Sequence, residues 1–240
     1  LLQYQKNENL FEIETKSQML KVCLVGCSKT TAQIIQQLME SKKCEISLII
    51  EEGKIIESEL ELIVNQKKIP IDSGLSYDTQ ILEKFGAFKC DVIIISNEDK
   101  NSPINNDLNI IKSIFAIQSV VKSGQDIHLI AELSDNDSRD MVSEYYELDF
   151  VVSDAIGSKI LAQYVENPQL INVIDEVTYS GRGRISIKNI NRQKFPEILD
   201  FGTLHSRTLV TGRILIGYRY QTSGDLGSRT ISKINPGSTT

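Results

Sequence analysis

At 240 residues and 27.0 kDa, the chain is long enough to bury one large core or a medium and a small one, and needs no disulfide or metal staple. Its 40% hydrophobic and 24% charged content excludes wholesale disorder. No apolar run approaches the ~20 residues of a spanning helix, and the N-terminus has no basic region, apolar run and cleavage site of a signal peptide, so a soluble, intracellular piece is expected.

From residue 21 onward short β-branched runs alternate with segments of helical period. The strand candidates are KVCLV (21–25), EISLII (45–50), KIPI (68–71), DVIIIS (91–96), DIHLIAEL (126–133) and DFVVS (149–153). They are apolar on both faces, as strands covered by helices on each side must be. Helices are predicted at 30–42, 78–86, 104–123, 136–146 and 155–166, and the Ile/Leu/Val-rich stretch 53–68 reads as a degraded helix or an extra strand. The rhythm spells an α/β fold, a Rossmann-like doubly wound parallel sheet. After Asn167-Pro168, a helix stop, QLINVIDEVTY (169–179) has helical spacing and is read as a crossover helix. RISIKNI, FPEILDFGTLH, TLVTGRILIGYRY and RTISKINPG then read as strand, short helix and strands with glycine turns, a small α+β C-terminal domain.

Charge divides at the same place. Residues 1–180 carry 16 Lys/Arg against 29 Asp/Glu, and residues 181–240 carry 10 against 3. The expected organisation is a linker at 1–20, the Rossmann-like domain at 21–166, the crossover helix and linker at 167–180, and a truncated C-terminal domain at 181–240. The basic piece lacks the interleaved aromatics of a stacking platform, so no nucleic-acid partner is expected, and its charge suits the acidic domain or another subunit.

The four cysteines, Cys23, Cys27, Cys44 and Cys90, form no C-x-x-C pair and read as reduced thiols. His128 and His205 are too scattered for a zinc site, and no Ser-His-Asp arrangement is visible. What remains is the first strand-to-helix turn. In the dinucleotide fingerprint the first glycine makes the turn, the second admits the pyrophosphate and the third lets helix pack on strand. Those places hold Gly26, Ser28 and Thr31, so only the turn survives. Helix-start N–H groups, the Ser28 hydroxyl and Lys29 could still meet an anion; the plainer reading is a structural turn with Ser28 or Thr30 as N-cap. Glu51, in LIIEEG, stands where such domains hold ribose hydroxyls, and equally where any strand end is solvated.

GLSYDTQILEKFGAFKCDVIIISNED (74–99) resembles the GDATDxxVLxxAGIxxADxVIxxTxxD segment of the regulator-of-potassium-conductance domains, with Gly74, Asp78, Leu82, Gly86 and Asp91 in register. The resemblance runs on through NIIKSIFAIQSV, IHLIAELSDNDSRDMV and DFVVSDAIGSKILAQYVENPQLINVIDEV. The combination of AEL, DFVVS, LAQ, NP and then GYR before NPG looks most like the channels called CASTOR and POLLUX. It implies a ligand-sensing gating domain on the cytoplasmic face of a membrane, paired into a homo-oligomer and joined to a pore-forming region, and no enzyme.

The cofactor-binding candidates are Gly26, Ser28, Lys29 and Glu51, from the turn and the strand end, and Asp78, from the resemblance. Leu75 replaces the acid that nucleotide-binding relatives place near the ligand, which together with the broken fingerprint argues against adenine nucleotides. Relatives are gated by Ca²⁺, and hard cations need converging oxygens, so Glu98, Asp99, Asp154 and Glu176 are the metal candidates for Ca²⁺ or another cation. Two alternatives stay open: a separate nucleotide-binding subunit of a potassium transporter, and an NAD(P)-dependent oxidoreductase, for which the second domain offers only His205 as acid or base.

Overall fold

A computed structural model describes residues 19–27, 29–41, 44–51, 58–96, 103–121, 127–143, 148–178, 185–188, 200–224, 227–234 and 236. Strands β1 (Leu20–Val25), β2 (Cys44–Ile50), β3 (Ile71–Ser73), β4 (Val92–Ile95), β5 (His128–Leu133) and β6 (Asp149–Val152) form one sheet in the order β3-β2-β1-β4-β5-β6. Every pairing is parallel. The chain winds outward from β1 to β3, then crosses back to lay β4 on the other side of β1. Strand order therefore reverses between β1 and β4, the place where a doubly wound sheet opens a crevice at its carboxyl end.

Alternation along each strand builds a core on both faces. Val22 and Leu24 of β1 point with Ile46, Leu48 and Ile50 of β2 into a core closed by helix α1 (Lys29–Ser41), through Ala32 and Ile35, and helix α2 (Ser58–Lys67), through Leu60 and Val64. Cys23 and Val25 face the opposite core with Ile93, Ile95, Leu129 and Ala131. Helix α4 (Pro103–Val120) covers that side with Ile110, Ile114 and Ile117. Each fully buried Ile contributes about 1.5–3 kcal/mol relative to exposure, so α4 is anchored mainly by this stripe. Its proline sits at the first helical position, where the missing N–H has no intrahelical role.

Local chemistry moves several boundaries. The stretch 53–68 contains α2, whose buried Leu60 and Val64 lie one turn apart. Strand β3 starts only at Ile71, the last residue of KIPI, and runs on to Ser73, because Lys68 adopts φ 54° and Pro70 has no N–H to donate. Helix α3 (Thr79–Lys84) is shorter than 78–86. Asp78 caps its start by accepting from the Gln80 N–H at 2.9 Å, and Gly86, at φ 77°, ends it. Helix α5 (Asn136–Ser143) opens on Asp135, whose carboxylate accepts from the Ser138 N–H at 2.7 Å. Helices α6 (Ser153–Glu166) and α7 (Leu170–Thr178) follow β6, flanking Asn167-Pro168.

The described residues from 19 to 185 form one compact unit, and those from 186 onward belong to a second. Within the second, helix α8 (Phe201–Val210) and the antiparallel hairpin of β7 (Gly217–Gly224) and β8 (Gly227–Ile234) are described. Here the strand expected from TLVTGRILIGYRY is corrected: Thr208, Leu209 and Val210 continue α8. Asp200 caps that helix by accepting from the Thr203 N–H at 2.8 Å and hydroxyl at 2.6 Å, and Gly212 turns the chain at φ 73°. The Thr203 hydroxyl, then its N–H, holds the Asp200 carboxyl below the usual aspartate range. Residues 185–188, expected as part of a strand, form none. Phe201, His205, Tyr218 and Tyr220 pack as a chain of tilted rings with centroids 5.9–6.3 Å apart. Among the described residues no helix is long and apolar enough to cross a membrane.

Candidate cleft at the strand reversal

The Gly26 turn is what the first sheet connection requires. Its φ of 105° suits glycine and strains any other residue, and its N–H is held by the Ile49 carbonyl at 2.9 Å. At the third fingerprint place Thr31 is 1% exposed, with its hydroxyl 3.5 Å from that of Ser96 just past β4. A buried hydroxyl pair occupies the helix–strand contact that the fingerprint reserves for glycine. Ser28 lies outside the described residues, and Lys29 is the first residue of α1.

Beside this turn a small cleft, with a volume of about 30 Å³, is lined by Val25, Glu51, Ser76, Ile95, Ser96, Asn106, Asn109 and Ile110. That volume holds one or two waters, so a larger molecule must lie across the opening. The groups come from separate elements brought together by the strand reversal. Val25 ends β1, Glu51 follows β2, Ser96 follows β4, and the two asparagines sit on the first turns of α4. Ser76 arrives on the turn after β3, where the Gly74 N–H donates to the Ile50 carbonyl at 2.8 Å and the Ser76 and Ser113 hydroxyls meet at 2.8 Å. A Cβ on Gly74 would stand 2.0 Å from Ile81 Cδ1, so that close approach needs glycine unless Ile81 shifts.

Two α4 residues at this end were not singled out by the sequence. Asn106 is 7% exposed, and its side-chain Nδ2 has no hydrogen-bond partner among the described residues. Asp107, 2% exposed, turns away and accepts the Ser134 N–H on both carboxylate oxygens, at 3.0 and 3.2 Å. A signal was available: INNDLN opens an otherwise apolar helix with residues that favour caps and turns over helix interiors.

The structure brings Gly26 and Glu51 to the same end of the sheet. It does not place Asp78 in the cleft lining, where Ser76 stands instead; Asp78 caps α3. Asp154, in the first turn of α6, and Glu176, on α7, are both exposed, and Glu98 and Asp99 lie outside the described residues. Among the described residues no three His, Cys, Asp or Glu side chains converge as a metal site.

Acid–base and thiol chemistry lie elsewhere. His128 Nε2 contacts Asp149 Oδ2 at 2.6 Å, with both side chains more than half exposed, at the amino ends of β5 and β6. The Cys90 thiol donates to the Gly86 carbonyl at 3.7 Å and stands beside the Cys23 thiol. The neighbouring Cys90, then burial, pushes the Cys23 thiol far up, while the same neighbour relation pulls the half-buried Cys90 down. Neither thiol lines the cleft.

No protein-family model matches the chain, and no curated protein does. Among solved structures it is similar to the NAD(P)-binding domain of an exopolyphosphatase-related protein from Archaeoglobus fulgidus, at 11% identity over 60% of this chain and 96% of that one, TM-score 0.46. It is also similar to the TrkA-N domain of the inner membrane protein YbaL from Escherichia coli, at 13% identity over 62% and 98%, TM-score 0.46. A third is the Kef CTD of Shewanella denitrificans in its AMP-bound form, at 13% identity over 61% and 81%, TM-score 0.43. At these identities and TM-scores the likeness decides neither family nor ligand.

Proposed function

We propose that this chain is a ligand-sensing regulatory domain of a cation channel or potassium transport system, working by rearrangement and not by bond chemistry. The observation that supports it best is the polar cleft at the strand reversal. It gathers hydroxyls, carboxamides and one carboxylate without a nucleophile-and-base pair among its lining residues, as suits binding. The segment 74–99 supplies the transport context through its resemblance to regulator-of-potassium-conductance domains, and the AEL, DFVVS and GYR combination favours the CASTOR and POLLUX kind. On this reading the domain acts at the cytoplasmic face of a membrane. A ligand with different affinities for two arrangements shifts the balance between them. In the transporter-subunit alternative the pore is on another polypeptide; the gene sequence upstream of residue 1 separates the two.

Self-association belongs to the proposal. On α6 and α7, Ile156 is 47% exposed, Leu161 65%, Val165 85% and Val173 54%, an apolar surplus suited to a second copy. Sedimentation at micromolar concentration should show a dimer or larger, and Leu161→Asp should give monomer.

A thermal-shift panel of Ca²⁺, Mg²⁺, Na⁺, NAD⁺, NADH, ATP and ADP tests the sensing role, since a ligand at ~100 times its Kd stabilises by roughly 2.7 kcal/mol. At least one should raise Tm without hydride-transfer turnover, and submicromolar NADH affinity would count for the oxidoreductase instead. For a divalent ion, calorimetry on Asp154→Ala and Glu176→Ala, with Glu98→Ala and Asp99→Ala, tests the acids. Equal binding by all four removes them as ligands.

A further inference from the structure

Asn106 is the one described residue with a buried side-chain nitrogen that lacks a hydrogen-bond partner among the described residues, and it sits in the cleft wall. A donor so buried and unpaired costs stability, and replacing it by an apolar group of similar shape is neutral or favourable. Its neighbours show how this stretch treats polarity without a ligand: Asp107, one residue on, spends both oxygens on Ser134, and Ser113, two turns on, donates within α4 to the Asn109 carbonyl at 2.8 Å. Asn106 alone is held out of such pairing.

We propose that Asn106 reads the cleft ligand, and that this ligand is an uncharged hydroxyl-bearing small molecule, such as a free sugar or nucleoside. The inference rests on the sensing function proposed above and assigns the chemistry of its cleft. A hydroxyl both donates and accepts, so it satisfies either end of a carboxamide and also donates to Glu51. An anion is disfavoured because the described lining holds one carboxylate and no cation, and because the Gly26 turn lacks the further glycines that admit a pyrophosphate. Asn109, one turn below Asn106, and the hydroxyls of Ser76 and Ser96 supply the remaining polar contacts.

Thermal shift on the whole chain and on Asn106→Leu, each with D-ribose, adenosine, AMP and inorganic phosphate, tests this. Without ligand, Asn106→Leu should match the wild-type Tm or exceed it by about 2–4 °C, the shift that ~1 kcal/mol gives in a chain of this size. Ribose or adenosine should raise the wild-type Tm, AMP no more than adenosine, and phosphate not at all. Asn106→Leu should lose at least tenfold in affinity for the responding compound, and Asn106→Gln should regain part of it. A lower Tm for unliganded Asn106→Leu overturns the proposal by showing that the carboxamide is already satisfied. Equal ligand shifts in wild type and Asn106→Leu overturn the role of Asn106. A response to phosphate or AMP alone, or to none of the four, overturns the ligand class; a response to Ca²⁺ in the wider panel would then leave the sensing function standing without it.

Discussion

The two ends of the parallel sheet treat polar groups in opposite ways. At the amino end His128 and Asp149 pair with each other while more than half exposed, and water competes for both. At the carboxyl end Thr31, Ser96, Asn106 and Asp107 are all buried, and one of them keeps a donor unpaired. Buried polarity is expensive and exposed polarity nearly free. Among the described residues, then, the carboxyl end carries polar groups that folding alone does not favour, and the amino end carries none of that kind. This asymmetry, more than any motif, is why the proposed ligand site is assigned to the carboxyl end.

The largest expected effect that could break the contrast is at Asp107. Asp107→Ala leaves the Ser134 N–H without its carboxylate and should cost about 2–3 kcal/mol, lowering Tm by roughly 4–12 °C. A loss under about 0.5 kcal/mol would mean that burial at this end carries no energetic weight. Next is Gly26→Ala, which forces a Cβ onto backbone at φ 105° and should cost about 1–3 kcal/mol. Chemical denaturation measures it, and a neutral result would show that the turn relaxes freely.

The thiol pair sharpens the comparison along β1. Cys90 precedes β4 at the amino end and is half-buried; the neighbouring Cys23 thiol lowers its pKa. Iodoacetamide should therefore label Cys90 first, with a pH midpoint below that of an ordinary thiol, and Cys23 last. In Cys23→Ala the neighbour that lowers it is gone, so the Cys90 midpoint should rise and labelling near neutral pH should slow several-fold. Unchanged labelling would remove the pairing. The smallest effect is His128→Ala, where an exposed contact with Asp149 is lost and the change should stay below about 1 kcal/mol. A larger one would make the amino end as costly as the other.

Much of the sheet was legible because a covered parallel strand has no polar face: KVCLV, EISLII and DVIIIS admit few other readings. The C-terminal unit was harder. Thr208-Leu209-Val210 has β-branched strand character, but the Asp200 cap launches a helix that runs through it, and a cap eight residues upstream outweighs propensity. In the cleft, Gly26 and Glu51 were visible because strand ends are. Asp78 was read for its segment's resemblance, whereas locally it is a helix cap. INNDLN marked the start of α4 as polar, but not what these residues do there: Asp107 meets an N–H brought by the end of β5, and Asn106 is buried without a partner only once the sheet has assembled.

The bond from Ser134 to Asp107 also gives the protein a built-in spectroscopic handle. An amide proton shared between two carboxylate oxygens at 3.0 and 3.2 Å should resonate downfield and exchange slowly, and its acceptor is the residue next to Asn106. In a proton–nitrogen correlation spectrum of the nitrogen-15-enriched chain, the Ser134 peak therefore marks any displacement of the start of α4 without a substitution or an attached probe. It also lies on the β5–α5 turn, so its movement would record whether an event in the cleft has travelled across the sheet or stopped where it began.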